Sequence, residues 1–133
     1  MKTTALIEMG KDGTFGVFTP DIEHTIIGDG KTVEEAKTDF ENSVTEMFLS
    51  YTENGKDIPD ELKNIEFEYK YDIASLFNFY NWINVSKFAE KAGINPSLMR
   101  QYKAGITYIS DMQTNKIEET LHALGAALTS VKL

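Results

Sequence analysis

Between Val85 and Ala104 the sequence sets Lys87, Asn95, Ser97, Leu98, Arg100, Gln101 and Lys103 around a regular series of apolar residues. These side chains suit hydrogen bonding and cation chemistry rather than bond breaking. A glutamine amide offers a donor and an acceptor side by side, which is what an adenine edge requires, and a guanidinium fits a guanine edge or a phosphate. Lysines and backbone N–H groups at helix starts suit phosphates, which fix register without reading sequence.

Other chemistries find less support in the residues. The chain has no cysteine, which removes disulfides and cysteine-ligated zinc. Its two histidines, His24 and His122, have no partner at metal-ligand or triad spacing, so no metal site is expected from them. Glu8, Asp21, Asp29 and Glu66 lie near strand ends, where a two-metal nuclease would need carboxylates to converge. Asp21 and Asp29 stand where turns want Asp, and Glu66 falls on the wet face of a strand, so no catalytic residue and no cofactor is expected.

Two short helices must position the polar set. Asn84 can cap a helix over Val85–Ala92, Gly93 breaks it, and Asn95-Pro96 starts a second helix that Gly105 ends. Counting Val85 as the first of twenty positions, the buried slots fall on Phe88, Ala92, Ile94, Met99 and Tyr102. Steeply crossing helices leave room only for a small residue at the fifth slot, occupied by Ala89. The ninth slot must take a positive φ, and Gly93 is there. This is the grammar of a helix-turn-helix, with Asn95, Ser97, Leu98, Arg100 and Gln101 pointing outward from the second helix toward a DNA major groove. A last helix, opened by Ser110 and Gln113 as a capping box, carries Ile117, Leu121, Leu124 and Leu128 on one stripe, expected to close the core in preference to forming a zipper seam. Ile73–Phe79 reads as a short aromatic helix, and its rings, with Trp82, are expected in a core at the junction.

The front of the chain reads differently. Thr3–Met9, Phe15–Thr19 and Thr25–Asp29 are expected strands, and Gly10-Lys11-Asp12-Gly13 a turn. Thr32 and Glu35 form a second capping box. From there Val33, Ala36, Phe40, Val44, Met47, Phe48 and Tyr51 make one apolar stripe on a helix that Gly55 ends. Ile65, Phe67, Tyr69 and Tyr71 alternate with Glu66, Glu68 and Lys70, as in a strand with one wet face. The expected fold class is α+β: a small, largely antiparallel sheet with one packed helix over residues 1–72, then an all-α domain over 73–133.

Charge follows the same division. The net charge of −8 over 133 residues combines −10 in residues 1–72, seven lysines against seventeen acids, with +2 in residues 73–133, six bases against four acids. Between Glu90 and Asp111 there is no acid. Two surfaces with different clients are expected, a cationic partner in front and a polyanion behind. The small basic excess implies that DNA is read by a homodimer or higher oligomer over two half-sites. No apolar run approaches a membrane span and the first residues lack a secretory pattern, so the expected location is the cytoplasm, without membrane partners.

The segments Gly13-Thr14-Phe15-Gly16-Val17-Phe18-Thr19-Pro20-Asp21 and Gly28-Asp29-Gly30-Lys31-Thr32-Val33-Glu34-Glu35-Ala36 resemble the HicB antitoxin family. The shared features are a hairpin ending in Pro-Asp and a Gly-Asp-x-x-Glu-Glu-Ala entry into a helix. The resemblance covers about residues 3–54, and in layout the strand through Tyr71. It implies a partial RNase H-like fold without nuclease activity, and a partner: a small HicA toxin, an mRNA interferase that the front module covers. Many members carry a C-terminal DNA-binding tail, so the resemblance also implies an antitoxin of a toxin-antitoxin system that represses its own operon. One segment departs from the family pattern. Members often continue Pro-Asp-Leu-Pro-Gly-Cys where this chain has Pro20-Asp21-Ile22-Glu23-His24-Thr25. Two other readings fit the residues: a stand-alone transcription regulator whose front module binds a ligand or another protein, and an interaction protein whose helices no longer touch DNA.

Overall fold

A computed structural model describes residues 2–133. The chain runs β1 (Lys2–Met9), β2 (Phe15–Phe18), β3 (Ile27–Gly30), α1 (Val33–Glu53), a 3-10 turn (Asp60–Leu62), β4 (Glu66–Tyr71), α2 (Ile73–Phe79), α3 (Val85–Ala92), α4 (Pro96–Ala104) and α5 (Asp111–Thr129). It divides into two compact units, the first ending at Leu76 and the second spanning Phe77–Leu133.

In the first unit the strands lie in the order β3-β2-β1-β4. The β1/β2 and β2/β3 pairs are antiparallel, with Leu6 opposite Phe18 and Phe18 opposite Ile27. The β1/β4 pair is parallel, with Ala5 beside Tyr69. The sheet is therefore mixed: antiparallel over β3-β2-β1, as the largely antiparallel expectation has it, with β4 added in parallel at one edge. The 21-residue α1 covers about 30 Å and returns the chain to the end of the sheet from which β1 and β3 set out. β4 must then run with them.

Period-2 alternation puts Thr3, Ala5, Ile7, Phe15 and Val17 on the face that meets α1, where they are buried with Val33, Ala36 and Phe40 of the helix. Val44, Met47, Phe48 and Tyr51 continue the expected stripe, half-buried. β3 contributes glycines to this contact. A Cβ on Gly28 would strike the Phe40 backbone and come within 2.7 Å of the Ala36 carbonyl oxygen. Phe40 meets Phe67 edge to face at 5.1 Å. The Tyr69 hydroxyl donates to Glu41 Oε1 at 2.9 Å, and Lys37 Nζ stands 4.9 Å from the centre of the Tyr69 ring.

β3 starts later than expected because Thr25 and Ile26 belong to the loop after Pro20. Thr19 N–H donates to the Ile26 carbonyl at 3.2 Å, and Ile26 N–H donates to Thr19 Oγ1 at 2.9 Å, which closes the hairpin around buried Ile22 and Ile26. Glu61 holds the same loop: Glu23 N–H donates to its Oε1 at 2.6 Å and His24 Nδ1 lies 2.9 Å from its Oε2. The His24 contact, then the Glu23 N–H, hold the Glu61 carboxyl below its ordinary range. The segment that departs from the HicB pattern is thus an ordered loop tied to the 3-10 turn.

The division between units falls inside α2, four residues beyond the boundary expected at Asp72. Asp72 N–H donates to the Ile7 carbonyl, Ser75 donates to Asp72, and Met9 N–H donates to Ser75 Oγ at 3.0 Å, so the first turn of α2 completes the sheet. Among the described residues no helix is long and apolar enough to cross a membrane.

Candidate nucleic-acid interface

In the second unit, Asn84 Oδ1 accepts Lys87 N–H at 2.9 Å and starts α3. Gly93 ends it at φ 73°, ψ 33°, a left-handed conformation that costs a side chain strain, while Ile94 N–H reaches back to the Ala89 carbonyl at 2.9 Å. Asn95 Oδ1 then accepts Ser97 N–H at 2.8 Å and Pro96 opens α4. Gly105 closes α4 in the same left-handed way.

Between the two helices Phe88, Ala89, Ile94, Met99 and Tyr102 are buried, with Val85, Phe77 and Ile117 completing the core. Phe77 meets Phe88 edge to face at 5.1 Å. Ala89 has no exposed surface, so the fifth slot is filled as the crossing requires. Ala92, expected in the core, is only half-buried at the end of α3.

The polar set does not act as one group. Ser97, Arg100 and Gln101 are exposed on α4. Arg100 lies across to α3, donating from Nη1 to Ser86 Oγ at 2.9 Å and from Nη2 to Ser97 Oγ at 3.2 Å. The guanidinium thus links α4 to α3 with donors to spare. Gln101 Oε1 accepts from Thr107 Oγ1 at 2.8 Å, a bond that does not use its amide N–H groups. Ser86 and Thr107 were not singled out by spacing, because each meets its partner only across a turn. Asn95 is exposed, but its oxygen is committed to capping. Leu98 and Lys103 are half-buried, and the Lys103 carbonyl accepts from Asn78 Nδ2 at 3.1 Å. Lys87 lies elsewhere, on a groove with Asn84, Glu90 and Lys91.

That groove, about 620 Å³, is walled by Trp82, Ile83 and Phe88 on one side and Thr120, Leu124 and Leu128 of α5 on the other. Two expectations are corrected here. Trp82 is 72% exposed and not part of a core, since the turn after α2 swings it to the rim beside Tyr80. The α5 stripe closes the core only over its first half. Ile117 is buried, but Leu124 and Leu128 are 36% and 53% exposed, because they line the open groove across from α3. Ser110 Oγ accepts Gln113 N–H at 3.2 Å, making one half of the expected capping box.

The acids considered for metal chemistry are dispersed. Asp21 is exposed in the loop, Glu66 is exposed on the strand face away from α1, and Asp29 N–H is held by Asp39 Oδ2 at 2.8 Å. Burial, then Asp72, push the Glu8 carboxyl up. Among the described residues no group of three or more such side chains is placed to hold a metal ion. His122 is exposed. The chain matches no family model, no curated protein and no solved structure.

Proposed function

We propose that this chain is an antitoxin and transcriptional repressor: its acidic first unit, a partial RNase H-like module, neutralises a small basic toxin of the HicA type, and its second unit is a helix-turn-helix that reads operator DNA. The observation that carries the DNA half is the left-handed turn at Gly93 over a fully buried Ala89, with Ser97, Arg100 and Gln101 exposed on α4. That arrangement leaves a helix able to enter a major groove, with Arg100 spread by Ser86 and Ser97 for a guanine edge or phosphate and Gln101 for an adenine edge.

What supports the toxin half is charge and the HicB resemblance. Seventeen acids against seven lysines in residues 1–72 suit a cover for a basic RNA-binding protein, because complementary fields speed encounter and favour the right partner. Repression then follows from joining the two units in one chain, since a toxin-bound antitoxin and an operator-bound repressor are the same molecule.

The test is fluorescence anisotropy of the chain on the duplex upstream of its own reading frame, at low salt. The parent should bind, and Arg100→Ala and Gln101→Ala should each weaken binding about tenfold or more, the effect of losing one good base contact. If neither parent nor variants bind, the repressor reading fails. The toxin reading fails separately if no small basic protein encoded alongside the chain forms a complex with it.

A further inference from the structure

The turn that ends α4 folds the chain back onto one residue of that helix. Gly105 takes φ 73°, so the residues after it reverse along α4 instead of continuing it. Ile106 N–H donates to the Gln101 carbonyl at 3.2 Å, and the hydroxyl of the next residue, Thr107, donates to Gln101 Oε1 at 2.8 Å. Consecutive loop residues thus bond the backbone and the side chain of the same glutamine. Thr107 is half-buried, while Ile106 and Tyr108 on either side stand open to solvent.

We infer that Thr107 is a positioning residue that sharpens base discrimination through Gln101: its hydroxyl holds the glutamine amide in place for a base edge. This rests on the reading of α4 as the helix that enters the major groove. A glutamine reads adenine by accepting from the base's amino group and donating to its ring nitrogen. An amide oxygen accepts two hydrogen bonds, so the bond from Thr107 leaves one acceptor position and both N–H donors of Gln101 for the base. A glutamine side chain has many rotamers, and selecting one of them at the moment of binding weakens the contact. Threonine is stiff about its own first torsion, so its hydroxyl is a fixed point from which the amide can be set beforehand.

Two observations favour this role over one in folding. A hydroxyl serving the fold would bond a carbonyl left open at the helix end, whereas this one goes to a side-chain oxygen. Arg100 repeats the arrangement, since its Nη1 donates to the Ser86 hydroxyl on α3 at 2.9 Å. Each of the two side chains proposed to read bases is therefore held by a hydroxyl from outside α4. In water a bond between such exposed groups adds little, because either group can turn to solvent instead. In a groove from which water has been displaced the same bond is stronger, and a misplaced amide leaves a polar base edge unpaired. The effect of Thr107 is thus expected in DNA reading and not in stability.

The test is fluorescence anisotropy of the full-length chain on the duplex upstream of its own reading frame, with a random duplex of equal length as reference. Thr107→Val keeps the side chain's shape and removes its hydroxyl. It should lower the preference for the upstream duplex over the random one about fivefold, the weight of one ordinary hydrogen bond. Thr107→Ser should recover most of that loss. In a Gln101→Ala background Thr107→Val should change nothing further, because the side chain it acts on is gone. A Thr107→Val chain that keeps the parent's preference overturns the inference. So does an equal loss with and without the Gln101 side chain, which would make Thr107 a residue of the fold alone. In both cases the parent and Gln101→Ala still decide whether α4 reads DNA. A parent that prefers neither duplex overturns that reading, and this inference with it.

Discussion

In the first unit the apolar stripe of α1 meets a four-stranded sheet from Val33 through Tyr51, deeply at its start and more shallowly toward its end. In the second, the stripe of α5 meets α3 around Ile117 and then runs out over an open groove. The same sequence device, an apolar residue every three or four positions, has been closed by one unit and left half open by the other. A sheet presents four strands' width to a helix, whereas the eight-residue α3 offers about 12 Å of length. The open half and the near-neutral charge fall on one unit, and the closed core and strong acidity on the other. The difference is one of packing and of charge together, since the unit with the closed core is also the one with the acidic excess.

The sharpest way to break the comparison is to spoil the closure of the first unit. Gly28→Ala puts a methyl group into the Phe40 backbone and against the Ala36 carbonyl, and backbone on both sides cannot give way as a flexible side chain would. A destabilisation of about 3 kcal/mol is expected, at the upper end for overpacking. Hydrogen exchange read by mass spectrometry should show protection lost across β1–β4 and α1 while α3 and α4 keep theirs. Equal loss in both units would mean that they are not separate cores.

A smaller effect is expected at the corresponding point of the second unit. Gly93→Ala meets no neighbour, since nothing lies within 4 Å of its added Cβ, so the cost is only that of holding an alanine at φ 73°. That is about 1 kcal/mol, seen as faster exchange in α3 and α4 alone. If Gly93→Ala proved as damaging as Gly28→Ala, the turn would be packed more tightly than the open space around it allows.

These two glycines also mark how much of the molecule the sequence discloses. Gly93, Asn95-Pro96 and Gly105 work through local chemistry, a positive φ or a cap formed within three residues, and their spacing alone placed α3 and α4. The alternation over Ile65–Tyr71 located β4 and its wet face, but it is identical for either strand direction, so the parallel pairing with β1 stayed hidden. Gly28 stands out as part of a family-like segment, while its role as a point where α1 touches the sheet depends on Ala36 and Phe40, eight and twelve positions away. At the candidate interface, Arg100 and Gln101 could be read from their outward positions on a helix. Their partners Ser86 and Thr107 could not, because a hydrogen bond across a turn leaves no period in the sequence. Trp82 and Leu128 misled for a related reason: apolar residues count as core until something shows how far the neighbouring element extends.

The finest test of the first unit's closure is the rim of its helix-sheet contact. Burial, then the hydrogen bond to Glu41 and the nearby carboxylate charge, push the Tyr69 hydroxyl from its ordinary value of 10 up to about 12. A folded-state value above the unfolded one means the contact stabilises fully below pH 10 and is lost as the pH rises through 12. A site-resolved titration at alkaline pH, read by NMR of the Tyr69 ring, should therefore show Tyr69 ionising only near 12. Glu41→Gln should bring that tyrosine down toward 10 without reaching it, because the burial remains when the carboxylate is gone. The accompanying change in stability should be small, below about 1 kcal/mol, since the pair lies toward solvent where water screens it. A Tyr69 that titrates near 10 in the parent would mean that this edge of α1 stands away from β4, and the first unit's closure would then stop short of its rim.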